Sequence, residues 1–148
     1  FSIMLPEDWI VDETTTFDPQ MNGHTLNLHP KHLSPEMCSS TQNIRMTFRH
    51  VGEEALLWPT GVGQGEFVGQ GTLEIADIPA LRLLLVCPSG EVTSIWYHQS
   101  PNQTNILRGD LEFGFIFSAS ALHCEPGVSL SGKNQLVGEM IIASLEVP

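Results

Sequence analysis

From residue 43 onward the apolar residues recur at a period of two. In "NIRMTFRHV", residues 43–51, Ile44, Met46 and Phe48 alternate with Arg45, Thr47 and Arg49, the pattern of a strand with one wet face. "GTLEIADIP" (71–79) sets Leu73 and Ile75 against Glu74 and is expected to stop at Pro79. "ALRLLLVC" (80–87) is apolar on both sides apart from Arg82, which predicts a central strand covered on both faces. Pro88-Ser89-Gly90 then turns the chain into "EVTSIWYH" (91–98), and the two runs predict a hairpin. In "DLEFGFIFSA" (110–119), Leu111, Phe113, Phe115 and Phe117 fall on one buried face. "QLVGEMIIASLEV" (135–147) is expected to close the chain as a long strand, bent or bulged at Gly138.

No segment shows a 3.6-residue stripe over three turns, and 13 Gly and 10 Pro punctuate the apolar runs. Half-apolar strands need a facing layer, so the predicted fold is all-β: two packed antiparallel sheets, a β-sandwich or jelly roll. Residues 1–42 differ in texture. Pro6, Pro19, Pro30 and Pro35 stand too close together for a long helix or a central strand. This region is therefore expected to be an extended irregular arm, anchored by Trp9, Ile10 and Val11, and packed on a β-sandwich domain spanning 43–148. Glu7, Asp8, Asp12, Glu13 and Asp18 keep much of its surface solvated. "WPTGVGQGEFVGQG" (58–71), with its glycines, reads as a long loop; it has neither a GxxxxGK[ST] pattern nor a Lys to cradle phosphate.

A chain of 148 residues is about one domain, long enough to bury roughly two-thirds of its unfolded surface. Because it opens at Phe1 rather than Met, a fragment or processed product is expected, and no signal peptide is recognised in it. Six Lys+Arg against 17 Asp+Glu give a formal net charge of −11. That charge opposes nucleic-acid binding and attraction to an anionic membrane, and no apolar run is long enough to span a bilayer. Cys38, Cys87 and Cys124 cannot all pair within one chain and show no CxxC spacing. Free, buried thiols are expected, with one disulfide plus one free thiol as the alternative.

Four constellations could carry chemistry. His24, His29 and His32 in "GHTLNLHPKH" are candidate ligands for zinc or copper, or else three exposed imidazoles without a shared role. For hydrolysis there is no GxSxG, and His123 and Cys124, adjacent on a strand, would point to opposite faces. Glu53-Glu54 reads as solvated surface, and Asp8, Asp12 and Asp18 lack the spacing of a calcium loop. Arg108-Gly109-Asp110 could present a cation and a carboxylate to a cell-surface integrin; alternatively Gly109 makes a turn and Asp110 and Glu112 line a wet face. Asn102-Gln103-Thr104 is an N-glycosylation sequon, with meaning only for a chain that enters a secretory compartment. No cofactor motif is found.

"RGDLEFGFIFSASALH" (108–123) resembles the strand beginning RGxLEFxFxFS in coat proteins of picorna-like icosahedral RNA viruses, with Arg108, Gly109, Leu111, Glu112, Phe113, Phe115, Phe117 and Ser118 at the matching positions. "GEMIIASLEVP" (138–148) resembles the closing strand of plant and insect virus shell domains. The resemblance implies a jelly roll behind an extended arm. Only residues 123–148 follow Leu122, however, and there is no basic arm to neutralise packaged RNA. A protruding or accessory β-domain, or one chain of several, fits that shortfall better than a complete shell.

The expected function is therefore that of a non-enzymatic structural or attachment β-domain of a viral capsid, located in the virion. Its expected partners are proteins: neighbouring capsid subunits, other copies of itself, or a cell-surface receptor. The alternative is a cellular or secreted β-sandwich that binds carbohydrate or calcium, extracellular or cytoplasmic. A metal enzyme built on His24, His29 and His32 ranks last.

Overall fold

The computed structural model describes residues 1–12, 16–18, 23–32, 43–51, 65–119, 124, 129–130 and 132–148. Within them are nine strands and one helix: β1 (Trp9–Val11), β2 (Thr16–Asp18), β3 (Gly23–Pro30), β4 (Asn43–His50), β5 (Glu66–Ile75), β6 (Ile78–Val86), β7 (Val92–His98), β8 (Ile106–Arg108), β9 (Leu111–Ser118) and α1 (Gly132–Ala143). The all-β expectation holds apart from α1. All nine strands join one antiparallel sheet in the order β1-β3-β4-β9-β7-β6-β5, with β2 on β3 and β8 on β9. The ladders thus make one continuous sheet where two separately bonded sheets were expected.

Register stacks the core in layers. Ile44, Phe117 and Ile95 are paired neighbours across β4, β9 and β7, and Met46, Phe115 and Tyr97 form the next layer. All six are fully buried. Each large apolar side chain taken from water contributes roughly 1.5–3 kcal/mol, so these two layers outweigh any surface contact. Their cover is α1, whose Ile141 and Ile142, with Leu145 just beyond, join the same cluster.

The helix replaces the predicted closing strand for a readable reason. Val137, Gly138, Ile141, Ile142 and Leu145 recur at three- and four-residue spacing and face inward, while Leu136 and Met140 stand exposed. The two exposed apolar residues fill the gaps in the stripe and make it read as a strand. Gly138 is not a bulge. A Cβ there would lie 2.7 Å from Cδ1 and Cζ of Phe117, so only glycine lets the helix settle on that ring.

Three further expectations change. The region 1–42 was expected to hold no central strand, yet β3 lies inside the sheet between β1 and β4, pairing with β4 across the expected boundary at residue 42. Pro30 ends that strand instead of preventing it. Pro79 does not stop the strand before it either: Ala76 and Asp77, at φ of 50° and 63°, make a two-residue hairpin loop, and Pro79 pairs with Glu74 inside the β5–β6 ladder. Residues 66–71 of the expected glycine loop belong to β5, while residues 58–64 lie outside the described residues.

The β6–β7 hairpin forms as predicted. Burial on both faces is most complete, however, in β9, where every residue from Glu112 to Ser118 is buried. Its second face carries Ile116, paired with the buried Trp96, whose Nε1 donates to Ser94 Oγ at 3.0 Å and whose ring meets the edge of Phe67. The free-thiol expectation is corrected as well. Cys87 and Cys124 form a disulfide with Cα atoms 5.6 Å apart, while Cys38 lies outside the described residues.

Candidate functional site

Gly109 and Asp110 are the two loop residues between β8 and β9, with Arg108 and Leu111 paired at the base. Gly109 has φ of +63° with open space around its Cα, so its role there is conformational: a non-glycine residue would be strained in that left-handed turn. The loop is locked to β4, because Val51 N–H donates to the Asp110 carbonyl at 2.8 Å. The tip leaves its charges exposed. The Arg108 side chain is 45% exposed and that of Asp110 87% exposed.

Each charge has a loose partner. Arg108 Nη2 lies 3.5 Å from Asp77 Oδ2, on the β5–β6 loop, and Asp110 Oδ2 lies 3.9 Å from His50 Nδ1. Exposed pairs at such distances contribute about 0–1 kcal/mol, which solvent screening reduces further. A protein partner could therefore take either charge at small cost. Beside the tip lies a cleft of about 530 Å³ whose lining includes Arg108, Asp77, Ala76, Phe1, Leu145 and Glu146. The cation, its carboxylate partner and a cleft wall of mixed polar and apolar residues thus share one end of the sheet.

Glu112, expected on a wet face with Asp110, is instead buried. It forms a salt bridge with Arg49 Nη2 and accepts from Asn105 Nδ2 at 2.6 Å. Arg49, also expected to be wet, is buried, and its Nε and Nη1 have no hydrogen-bond partner. Alternation placed both residues on the right face of their strands; what it could not show is that this face is covered.

A second polar group ties the helix to the sheet. Glu139 of α1 accepts from Arg82 Nε and, at 3.2 Å, from the Tyr97 hydroxyl, while Arg82 Nη1 donates to the Gln70 carbonyl at 3.1 Å. Burial, reinforced by the Glu139 charge, pushes the Tyr97 hydroxyl far above its ordinary value of 10.0. The apolar run around Arg82 gave a sign that this cation would need a partner; nothing in the sequence named Glu139.

The histidines do not converge. His24 and His29 are five residues apart on β3, so they point to opposite faces about 16 Å apart along the strand. His24 is exposed and stacks on Phe48, His29 is buried with Nδ1 2.9 Å from the Pro30 carbonyl, and His32 lies beyond the strand. Among the described residues no group of three His, Cys, Asp or Glu could hold a metal ion. Cys124 is committed to its disulfide, and His123 and Glu53-Glu54 lie outside the described residues. No helix among the described residues is long and apolar enough to cross a membrane.

Fold and tip together define a disulfide-bonded, single-sheet β-domain with a helix across one face and an exposed charged hairpin at one end. Compared with known protein families, curated proteins and solved structures, the chain gives no match.

Proposed function

We propose that this chain is a non-enzymatic structural or attachment β-domain that engages a protein partner through the β8–β9 hairpin tip. The observation that carries this reading is the tight two-residue turn at Gly109, which leaves Arg108 and Asp110 exposed with only loose partners. A pre-formed turn has little ordering entropy to lose on binding, so two charges can contribute despite screening. The partner would supply a carboxylate for Arg108 and a cation or metal for Asp110, as an integrin-type receptor does. The test is cell attachment to a surface coated with the chain. Asp110→Glu keeps the charge but moves the carboxylate outward by one methylene, and attachment should fall sharply while the melting temperature stays unchanged. Equal attachment would leave the tripeptide as a turn alone.

Placement in a viral capsid rests on the likeness at 108–118, residues that here span the end of β8, the turn and β9. Residues 138–143, the start of the supposed closing strand, are helical, so the second likeness adds no support. The Cys87–Cys124 disulfide favours a second reading, a secreted binding module, because such bonds persist in oxidising compartments. Titration of the denatured, unreduced chain should then find at most one reactive thiol; three would exclude it.

A further inference from the structure

β4 occupies one edge of β9 along its whole length, so β7 and β8 must share the other edge. They lie in one lane: Tyr97 pairs with Phe115, and Ile106 resumes the pairing at Phe113. Residues 99–105 are therefore an excursion that leaves the sheet and returns to the same lane. Its neck is held by Gln99 Oε1, which accepts from Leu107 N–H at 2.9 Å, and by the buried Asn105 on Glu112. Its outer part is closed by paired backbone bonds between Ser100 and Gln103, both 3.1 Å. Pro101 and Asn102 form the exposed apex.

We infer that Asn102 is an N-glycosylation site. Asn102-Gln103-Thr104 is the sequence's one Asn-x-Ser/Thr tripeptide, and Gln at the middle position leaves the acceptor open. A bulky glycan requires an asparagine side chain that makes no structural bond and projects clear of the sheet, and the apex of this excursion provides that. The neighbouring asparagine shows the contrast: Asn105 is buried and its amide is committed to Glu112. The second, independent observation is the disulfide, since the compartment that forms Cys87–Cys124 in a eukaryotic cell is also the one that transfers glycans to asparagine. This inference does not depend on the attachment reading, and either can fail alone.

The test is expression of the full chain through the secretory pathway of a eukaryotic cell, followed by intact-mass analysis before and after peptide N-glycosidase. The secreted, disulfide-bonded protein should lose the mass of one glycan, with aspartate left at position 102 in the peptide map. Asn102→Gln and Thr104→Ala should each abolish the loss while retaining the disulfide and the melting temperature. Secreted, disulfide-bonded wild type that shows no mass loss would overturn the inference, as would a mass loss that survives both substitutions.

Discussion

At Gly138 a single missing methyl group decides whether the helix can lie on the sheet. Gly138→Ala places a Cβ against the Phe117 ring, which is fully buried on β9, so the ring or the helix must shift. Overpacking of this kind costs about 1–3 kcal/mol, and chemical denaturation should show a midpoint lowered accordingly. The usual helical gain from Gly to Ala, about 1 kcal/mol, has the opposite sign, so an unchanged or raised midpoint would show that the contact is slack. A larger loss is expected at Glu112. Truncating it to Ala leaves the Arg49 charge buried without its counter-ion, which costs about 3–5 kcal/mol. The double variant Arg49→Met/Glu112→Leu should recover most of that loss, since it removes both charges and fills the space. Failure of the double variant to recover would mean that Asn105 and its neighbours depend on the carboxylate itself.

Among the elements, those with strict alternation were legible and those governed by a neighbour were not. β4 and β9 could be read because Ile44, Met46, Phe113, Phe115 and Phe117 recur at a period of two on one face, and β7 because the Pro88-Ser89-Gly90 turn marks a hairpin. α1 was hidden by Leu136 and Met140, whose exposure depends on which side of the helix meets the sheet. The β5–β6 loop carries Ala-Asp where such turns ordinarily announce themselves with Asn-Gly, so no local signal marked it. The tip of the candidate site was legible in Gly109, whereas its links to Asp77 and His50 arise only from the folded register. The bond between α1 and β7 has a pH signature. Tyr97 is the chain's one tyrosine, so phenolate absorbance reports on it alone. Its folded value is raised, so its contribution to stability is complete below about pH 10 and is lost as pH rises above that, by up to about 1.4 kcal/mol per unit. Phenolate should therefore appear only together with alkaline unfolding, and Tyr97→Phe should remove this slope. A smooth titration centred near 10 in the folded protein would contradict the burial. On the acid side, burial lowers the pKa of His98, so its contribution is present above its ordinary value of 6.5 and is lost as pH falls below it.

For the whole molecule, the disulfide joins residues 37 apart in sequence and links the end of β6 to the segment after β9. Chain-entropy reasoning assigns a loop of that size about 3–4 kcal/mol, a large share of the 5–15 kcal/mol typical of a domain. Reduction should accordingly lower the free energy of unfolding by that amount without altering the mutant effects at Gly138. The sequence could not choose this pair, because three cysteines without a spacing motif leave the pairing to the fold. The proposed attachment role rests on a sheet that presents a charged hairpin tip at one end. The most direct test is equilibrium binding of a soluble integrin ectodomain to the immobilised, disulfide-bonded chain, compared between wild type and Asp110→Glu. Saturable binding weakened at least about tenfold by the substitution, equivalent to about 1.4 kcal/mol, is the predicted result. No saturable binding to wild type, or equal binding to both proteins, would contradict it.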